Sequence, residues 1–146
     1  MSNLTTFEEL YIAFQRNVSV EWQKRLDRLV SGSQAAILRS LAVHGPQNAS
    51  TLAESLRITP GAVTSLSDKL IASGYAHRNR DANDRRVVLL EITDQGREIL
   101  KQFKIENKNI VKQLFSGLPE EDIEHLIRIY QHVLTNMATG KAEERE

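Results

Sequence analysis

The sequence predicts a mainly α-helical (α+β) fold, a winged helix-turn-helix whose wing is a small β-hairpin. A helical segment, TPGAVTSLSDKLIASG (residues 59–74), precedes the basic stretch RNRDANDRR (residues 78–86). The apolar run VVLLEIT (residues 87–93) follows that stretch. A helix, a strand, a charged turn and a returning strand in this order are typical of a domain that binds duplex DNA.

Two helices are predicted before this region. In the first, apolar residues recur every three or four positions, as in an amphipathic helix. They are Phe7, Leu10, Tyr11, Phe14, Val18, Trp22, Leu26 and Leu29. Ser31-Gly32-Ser33 interrupts the pattern, and we expect Ser33 to cap the second helix. His44-Gly45-Pro46 is expected to end that helix.

The helix-turn-helix follows. We expect Ser50 to cap its first helix, Arg57-Ile58-Thr59 to form the turn, and Pro60 to lie in the first turn of the second helix. Val63, Leu66, Leu70 and Ile71 are its predicted core residues. The polar face is expected to contact DNA through Thr59, Gly61, Thr64, Ser65, Ser67 and Lys69. Thr64 and Ser65 are our candidates for base contacts, and Thr59, Ser67 and Lys69 for phosphate contacts.

Turn-forming residues separate the two predicted strands of the wing. Gly74 suits a helix C-terminus, and Asp81, Asn83 and Asp84 favour a turn. The wing carries four arginines, Arg78, Arg80, Arg85 and Arg86. Guanidinium groups this close repel each other unless carboxylates or phosphates lie among them. Asp81 and Asp84 could pair with some arginines and leave the others for DNA.

Positive charge is concentrated in the same region, although the formal net charge of the chain is zero. Residues 57–86 contain six basic and three acidic residues, a net charge of +3. Residues 87–146 contain eight basic and eleven acidic residues, a net charge of −3, and the segment before residue 57 is balanced. This distribution favours an anionic partner at the helix-turn-helix and the wing.

The wing sequence resembles that of the MarR (multiple antibiotic resistance regulator) family. Asp84-Arg85-Arg86, the apolar residues 87–90 and Ile92-Thr93-Asp94-Gln95-Gly96 match the family pattern in order and spacing. The resemblance implies a transcriptional regulator, which we expect to be a cytoplasmic repressor that binds a palindromic operator as a homodimer. It also implies a wing-tip arginine in the minor groove, and we favour Arg86, then Arg85. We expect Arg78 to pair with Asp84 and hold the shape of the wing.

The resemblance also gives the domain organisation. We expect one MarR-like domain over residues 1–146, with its DNA-binding part at residues 33–93. Residues 1–32 and 94–139 are expected to form dimerisation helices, and residues 140–146 a flexible tail. Thr93 can cap the helix that begins at Asp94. The alternative is that the terminal helices fold back on their own subunit.

A small-molecule effector is a further expectation from the resemblance. Relatives bind such ligands in a crevice between the dimerisation region and the DNA-binding part. Candidate lining residues are Tyr11, Phe14, Trp22, Arg39 and His44, although core packing is the simpler explanation for the aromatic residues. The four histidines lack a carboxylate or thiolate complement, so we expect neither a metal nor another cofactor.

Other classes of protein are less consistent with the sequence. The chain has no cysteine, which excludes disulfides and thiol-based sensing. A glycine-rich phosphate loop, a nucleophile elbow and a metalloprotease helix are all absent, so we do not expect an enzyme. The stronger alternative is a winged-helix module that binds another protein, because the fold alone does not decide between these uses. No apolar run is long enough to cross a membrane, and the N-terminus lacks a signal pattern.

Overall fold

The computed structural model describes residues 2–143 and contains the predicted helices and hairpin. The helices are α1 (Asn3–Leu26), α2 (Gly32–His44), α3 (Ala49–Leu56), α4 (Pro60–Ala72), α5 (Asp94–Leu114) and α6 (Glu120–Glu143). The strands are β1 (Ala76–Arg80) and β2 (Val88–Ile92). The chain divides into two compact units between Ile110 and Val111, within α5. Among the described residues, no helix is long and apolar enough to span a membrane.

The hairpin is antiparallel, and its register determines which side chains share a face. Ala76 pairs with Ile92, Arg78 with Leu90, and Arg80 with Val88. Ala76, Leu90 and Ile92 are buried, so this face of the hairpin is turned toward the core. The loop before α3 extends the sheet, because Gln47 and Leu90 exchange two backbone hydrogen bonds of 3.1 and 2.8 Å. The hairpin is thereby joined to the helix-turn-helix by backbone as well as by side chains.

The core of the first unit includes residues of α2 and α4. Val63 and Leu70 of α4 are buried, as predicted, and Ile37, Leu38 and Leu41 of α2 are buried with them. Leu100, Phe103 and Ile110 of α5 belong to the same cluster. Burial of side chains of this size stabilises a fold by about 1.5–3 kcal/mol each.

Two predicted helix caps are wrong. Ser31, and not Ser33, caps α2: its hydroxyl accepts a hydrogen bond from the Gln34 amide, and the Gln34 side chain accepts one from the Ser31 amide. This reciprocal pair needs Gln or Glu three residues after the cap, which Ser31 has and Ser33 lacks. Asn48, and not Ser50, caps α3, because its side-chain oxygen accepts from the Thr51 amide at 2.8 Å.

The ends of α2 and α4 and the start of α5 agree with the prediction. Gly45 and Gly74 follow α2 and α4 with positive φ angles of 79° and 81°, a conformation that favours glycine at a helix end. Thr93 lies before α5, and its hydroxyl accepts from the Gly96 amide at 3.0 Å. α6 continues through residues 140–143, within the predicted tail, and the rest of that segment (residues 144–146) lies outside the described residues.

The terminal helices keep large apolar side chains exposed in the single chain. On α1, Phe7 and Leu10 have 61% and 64% of their surface accessible. On α6, Leu134 and Met137 are exposed to 62% and 54%.

Candidate nucleic-acid interface

The turn between α3 and α4 determines how α4 is presented. Arg57 has a left-handed backbone conformation with φ 57°, and its amide donates to Glu54 at 3.4 Å. The chain then turns, and the Thr59 hydroxyl accepts a hydrogen bond from the Ala62 amide at 3.1 Å. Pro60 takes the first position of α4, where its missing N–H has no partner to lose. The beginning of α4 is thus well defined and exposed.

Five predicted DNA contacts lie on the exposed surface of this helix. They are Thr59, Gly61, Thr64, Ser65 and Lys69. The Thr64 hydroxyl donates to the Pro60 carbonyl at 3.1 Å, so its oxygen remains able to accept a hydrogen bond. An acceptor of this kind suits the exocyclic amino groups of cytosine and adenine in the major groove.

Ser67 is not part of this surface, and its assignment as a phosphate contact is wrong. Only 3% of Ser67 is accessible, and its Oγ has no hydrogen-bond partner. Val63, Ser67 and Leu70 are spaced by four and three residues, so Ser67 lies on the face of α4 that packs into the core. Its polar character suggested a surface position that the helical period contradicts.

The tip of the wing presents Arg86 in a fixed geometry. Its Nε and Nη2 donate to the two carboxylate oxygens of Asp84 at 3.1 and 3.2 Å, while 91% of the Arg86 side chain is accessible. The Asp84 carboxylate also accepts from the Arg86 amide at 3.1 Å. The Arg86 side chain and then its amide lower the pKa of Asp84, which keeps this carboxylate ionised at neutral pH.

Internal hydrogen bonds close the rest of the wing loop. Arg80 donates from Nη1 to the Arg85 carbonyl at 2.7 Å, and the Asn83 amide donates to the Asp81 carboxylate at 3.2 Å. Arg80 and Arg85 both remain exposed. The loop therefore has a defined shape, with guanidinium groups on its surface.

Arg78 does not pair with Asp84, and that prediction is wrong. Arg78 donates instead to the Asp68 carboxylate on α4, with an Nη2–Oδ1 distance of 2.5 Å. The reason is strand alternation: Arg78 shares a hairpin face with the buried Ala76, which is directed toward α4. Neither this role of Asp68 nor the bridge at Gln47 was predicted. The spacing of Asp68 four residues after Thr64 places it on the exposed side of α4, but nothing in the sequence indicates its partner.

The predicted effector residues lie on two helices. Tyr11, Phe14 and Trp22 are on α1 with 48%, 40% and 37% of their surface accessible, and Arg39 and His44 are exposed on α2. Core packing in the single chain, the other explanation for the aromatic residues, does not account for them. A cavity of about 460 Å³ lies elsewhere, between α3, α4 and the wing, and none of these five residues lines it. No group of three or more potential metal ligands occurs within the described residues.

The Thr59 cap allows a test of the local structure. Thr59→Ala removes the acceptor for the Ala62 amide, and we expect the free energy of unfolding to fall by about 1 kcal/mol. Thr59→Ser keeps the hydroxyl and should restore most of this loss. Urea denaturation followed by circular dichroism measures both variants. Equal stability of the Ala and Ser variants would contradict the capping role.

These features define a winged helix-turn-helix, and comparisons with known proteins agree with that class. The MarR family model matches residues 30–88. The HTH-type transcriptional repressor MdtR of Bacillus subtilis is 33% identical over 94 residues, which are 64% of this chain and 61% of MdtR. The chain thus aligns with less than two thirds of that relative. Residues 30–88 are thus similar to the MarR family, and the relative named here is a transcriptional repressor.

Solved structures extend the likeness over most of the chain. The YusO protein from Bacillus subtilis is 25% identical with a TM-score of 0.78, and the match covers 92% of this chain and 99% of YusO. A MepR-like protein complexed with pseudoligands is 25% identical with a TM-score of 0.65, over 94% of this chain and 97% of that protein. The helices outside residues 30–88 therefore also follow a known architecture.

Proposed function

We propose that this chain is a transcriptional repressor that binds a palindromic DNA operator as a homodimer. The observation that supports this most is Arg86, which is almost fully exposed and yet held by both oxygens of Asp84. An arginine whose conformation is already restricted loses less entropy when it binds, and a guanidinium group suits the negative potential of a narrow minor groove.

The exposed face of α4 supplies the second half of the interface. Gly61 lets the backbone approach DNA, and Thr64 and Ser65 offer hydroxyl groups to base edges. The N-terminal end of the helix and Lys69 favour phosphate. In a twofold dimer each α4 would enter a major groove, with half-sites about one helical turn apart, and the wings would reach the flanking minor grooves.

Exposed apolar surface supports the homodimer. Monomeric soluble proteins rarely leave large contiguous apolar patches exposed. The stripes of α1 and α6 both contain accessible aromatic and aliphatic side chains, among them Phe7, Leu10, Tyr130 and Leu134. A second copy of the chain is the partner that a closed symmetric assembly would bring to them.

We further propose that a small molecule releases the repressor from DNA. The MepR-like protein was solved with pseudoligands, and Tyr11, Phe14, Trp22, Arg39 and His44 are accessible residues that could contact such a molecule. An effector that binds only the conformation with low DNA affinity would shift the population toward that conformation.

Fluorescence anisotropy with a random 30-base-pair duplex tests DNA binding directly. We expect binding at low salt, with log K falling by about 0.9 per neutralised phosphate for each tenfold rise in salt. Arg85→Ala/Arg86→Ala should weaken binding and reduce the slope. Lys104→Ala/Lys108→Ala, which removes the same charge from exposed positions of α5, is the matched control. No binding by a folded dimer at low salt would favour the protein-binding winged helix.

A further inference from the structure

One ion pair connects the DNA-facing helix to the wing. Within residues 2–143, the Asp68–Arg78 pair is the single salt bridge between α4 and the hairpin strands. Its side chains are 60% and 41% accessible, so the pair lies in water at the surface. Exposed pairs of this kind contribute little to folding stability. Its position therefore suggests a role other than holding the fold together.

Packing is incomplete beside this pair. The cavity of about 460 Å³ separates α4 from β2, with Val63 and Ser67 on one side and Val88 and Leu90 on the other. The Ser67 Oγ beside it has no hydrogen-bond partner, and Val88 is exposed to 41%. Close packing normally fixes the angle between two elements. Beside this cavity, the Asp68–Arg78 contact adds a constraint between α4 and the hairpin to the one that the Gln47–Leu90 backbone bridge provides.

We infer that Asp68 is a positioning residue for DNA recognition, which acts by holding Arg78 and so fixes the distance between the wing and α4. This inference rests on the proposed function, because that distance matters only if α4 and the wing contact neighbouring grooves. A wing held at one distance from α4 can reach its groove on the operator while α4 occupies the neighbouring groove. On DNA where the two grooves are spaced differently, the same fixed distance weakens binding. The Asp68 carboxylate also repels phosphate and neutralises Arg78, which limits binding to DNA of arbitrary sequence.

The inference predicts opposite effects on two kinds of DNA for the Asp68→Asn variant. Binding to the random duplex should strengthen, with a salt slope steeper by up to about 0.9, because Arg78 becomes available to one more phosphate. An operator duplex is first selected from a random pool by the unaltered protein. The ratio of the affinity for this duplex to the affinity for the random duplex, here called the preference, should fall by about fivefold or more, the typical size of the coupling between two sites. Asp68→Glu, which keeps the charge, should restore most of the preference.

Controls separate positioning from simple charge. Glu54→Gln neutralises another exposed acid of the helix-turn-helix and should leave the preference unchanged. In an Arg78→Ala background, Asp68→Asn should have no further effect on preference. If Asp68→Asn strengthened binding equally to the random and the selected duplex, or changed the affinity for neither, the inference would be overturned. If the unaltered protein binds neither duplex, the proposed function has failed. The claim that the Asp68–Arg78 pair positions the wing is then decided by the next measurement alone.

That measurement needs no DNA. The chain has no cysteine, so Glu54→Cys and Ala82→Cys can carry a pair of spin labels on α3 and the wing tip. Labelled chains diluted in excess unlabelled protein give the distance within one subunit. We expect a broader distance distribution after Asp68→Asn than in the unaltered background. An unchanged distribution would show that the ion pair does not position the wing.

Discussion

Arg86→Ala is expected to lower the affinity for the selected operator by about 1–3 kcal/mol, which is roughly 5- to 150-fold, while leaving the fold intact. The side chain is 91% accessible, so its removal opens no cavity. What is lost is a guanidinium group already oriented by Asp84 at the tip of the wing. Anisotropy titrations with the selected duplex at fixed salt measure the change.

Two further variants test the cause of that loss. Arg85→Ala removes the neighbouring exposed charge without disturbing the Asp84–Arg86 pair, and we expect a smaller loss. Asp84→Asn keeps Arg86 but removes the charge that orients it, so an intermediate loss is expected. Unchanged operator affinity for Arg86→Ala in a folded dimer would contradict the assignment of the wing.

The pH dependence of the Asp84–Arg86 pair follows from the direction in which the pKa of Asp84 is shifted. Arg86 lowers the pKa of Asp84 below its usual value in the folded chain. A carboxylate with a lowered pKa contributes stability above its unfolded pKa, and that contribution disappears as the pH falls through the folded value. The pair therefore persists across neutral and mildly acidic pH, where DNA binding is measured.

Much of the fold could be predicted from the sequence because its signals are local. The helical periodicity of α2 and α4, the glycines at positions 45 and 74 and the charged turn of the wing all depend on residues close together in the chain. The exposed polar residues of α4 follow from the same periodicity. Ser67 is the exception, because its polarity indicates a surface position, whereas its spacing from Val63 and Leu70 places it in the core.

The pairings between elements could not be predicted in this way. Asp68 and Arg78 are ten residues apart and meet only because the hairpin packs beside α4. Each arginine of the wing has several carboxylates near it in the sequence. Strand alternation determines which of them it can contact, but only once the register between β1 and β2 is known. The cap at Asn48 shows the same difficulty on a smaller scale, because Asn48 and Ser50 are two positions apart and both are residue types that cap helices.

The Thr93-Asp94-Gln95-Gly96 part of the family pattern, at the start of α5, has a clear structural reason. The Thr93 amide donates to the Tyr75 carbonyl at 3.1 Å, and the Thr93 hydroxyl donates to the Gly74 carbonyl at 2.6 Å. These bonds bring the first turn of α5 against the backbone before β1. A Cβ atom at Gly96 would lie 2.1 Å from the Tyr75 carbonyl oxygen and 2.8 Å from a side-chain carbon of Ile92. Neither neighbour can move away without disturbing the strand.

Gly96→Ala is therefore expected to lower the free energy of unfolding by about 1–3 kcal/mol or more, the usual cost of overpacking. This loss should occur even though alanine favours a helix by about 1 kcal/mol relative to glycine. Gly140→Ala is the matched control, because Gly140 lies in α6 with no atom within 4 Å of its added Cβ, and its stability should stay equal or rise. Urea denaturation at one protein concentration measures both variants. If the two substitutions had the same effect, the contact between α5 and Tyr75 would not be what requires glycine at position 96.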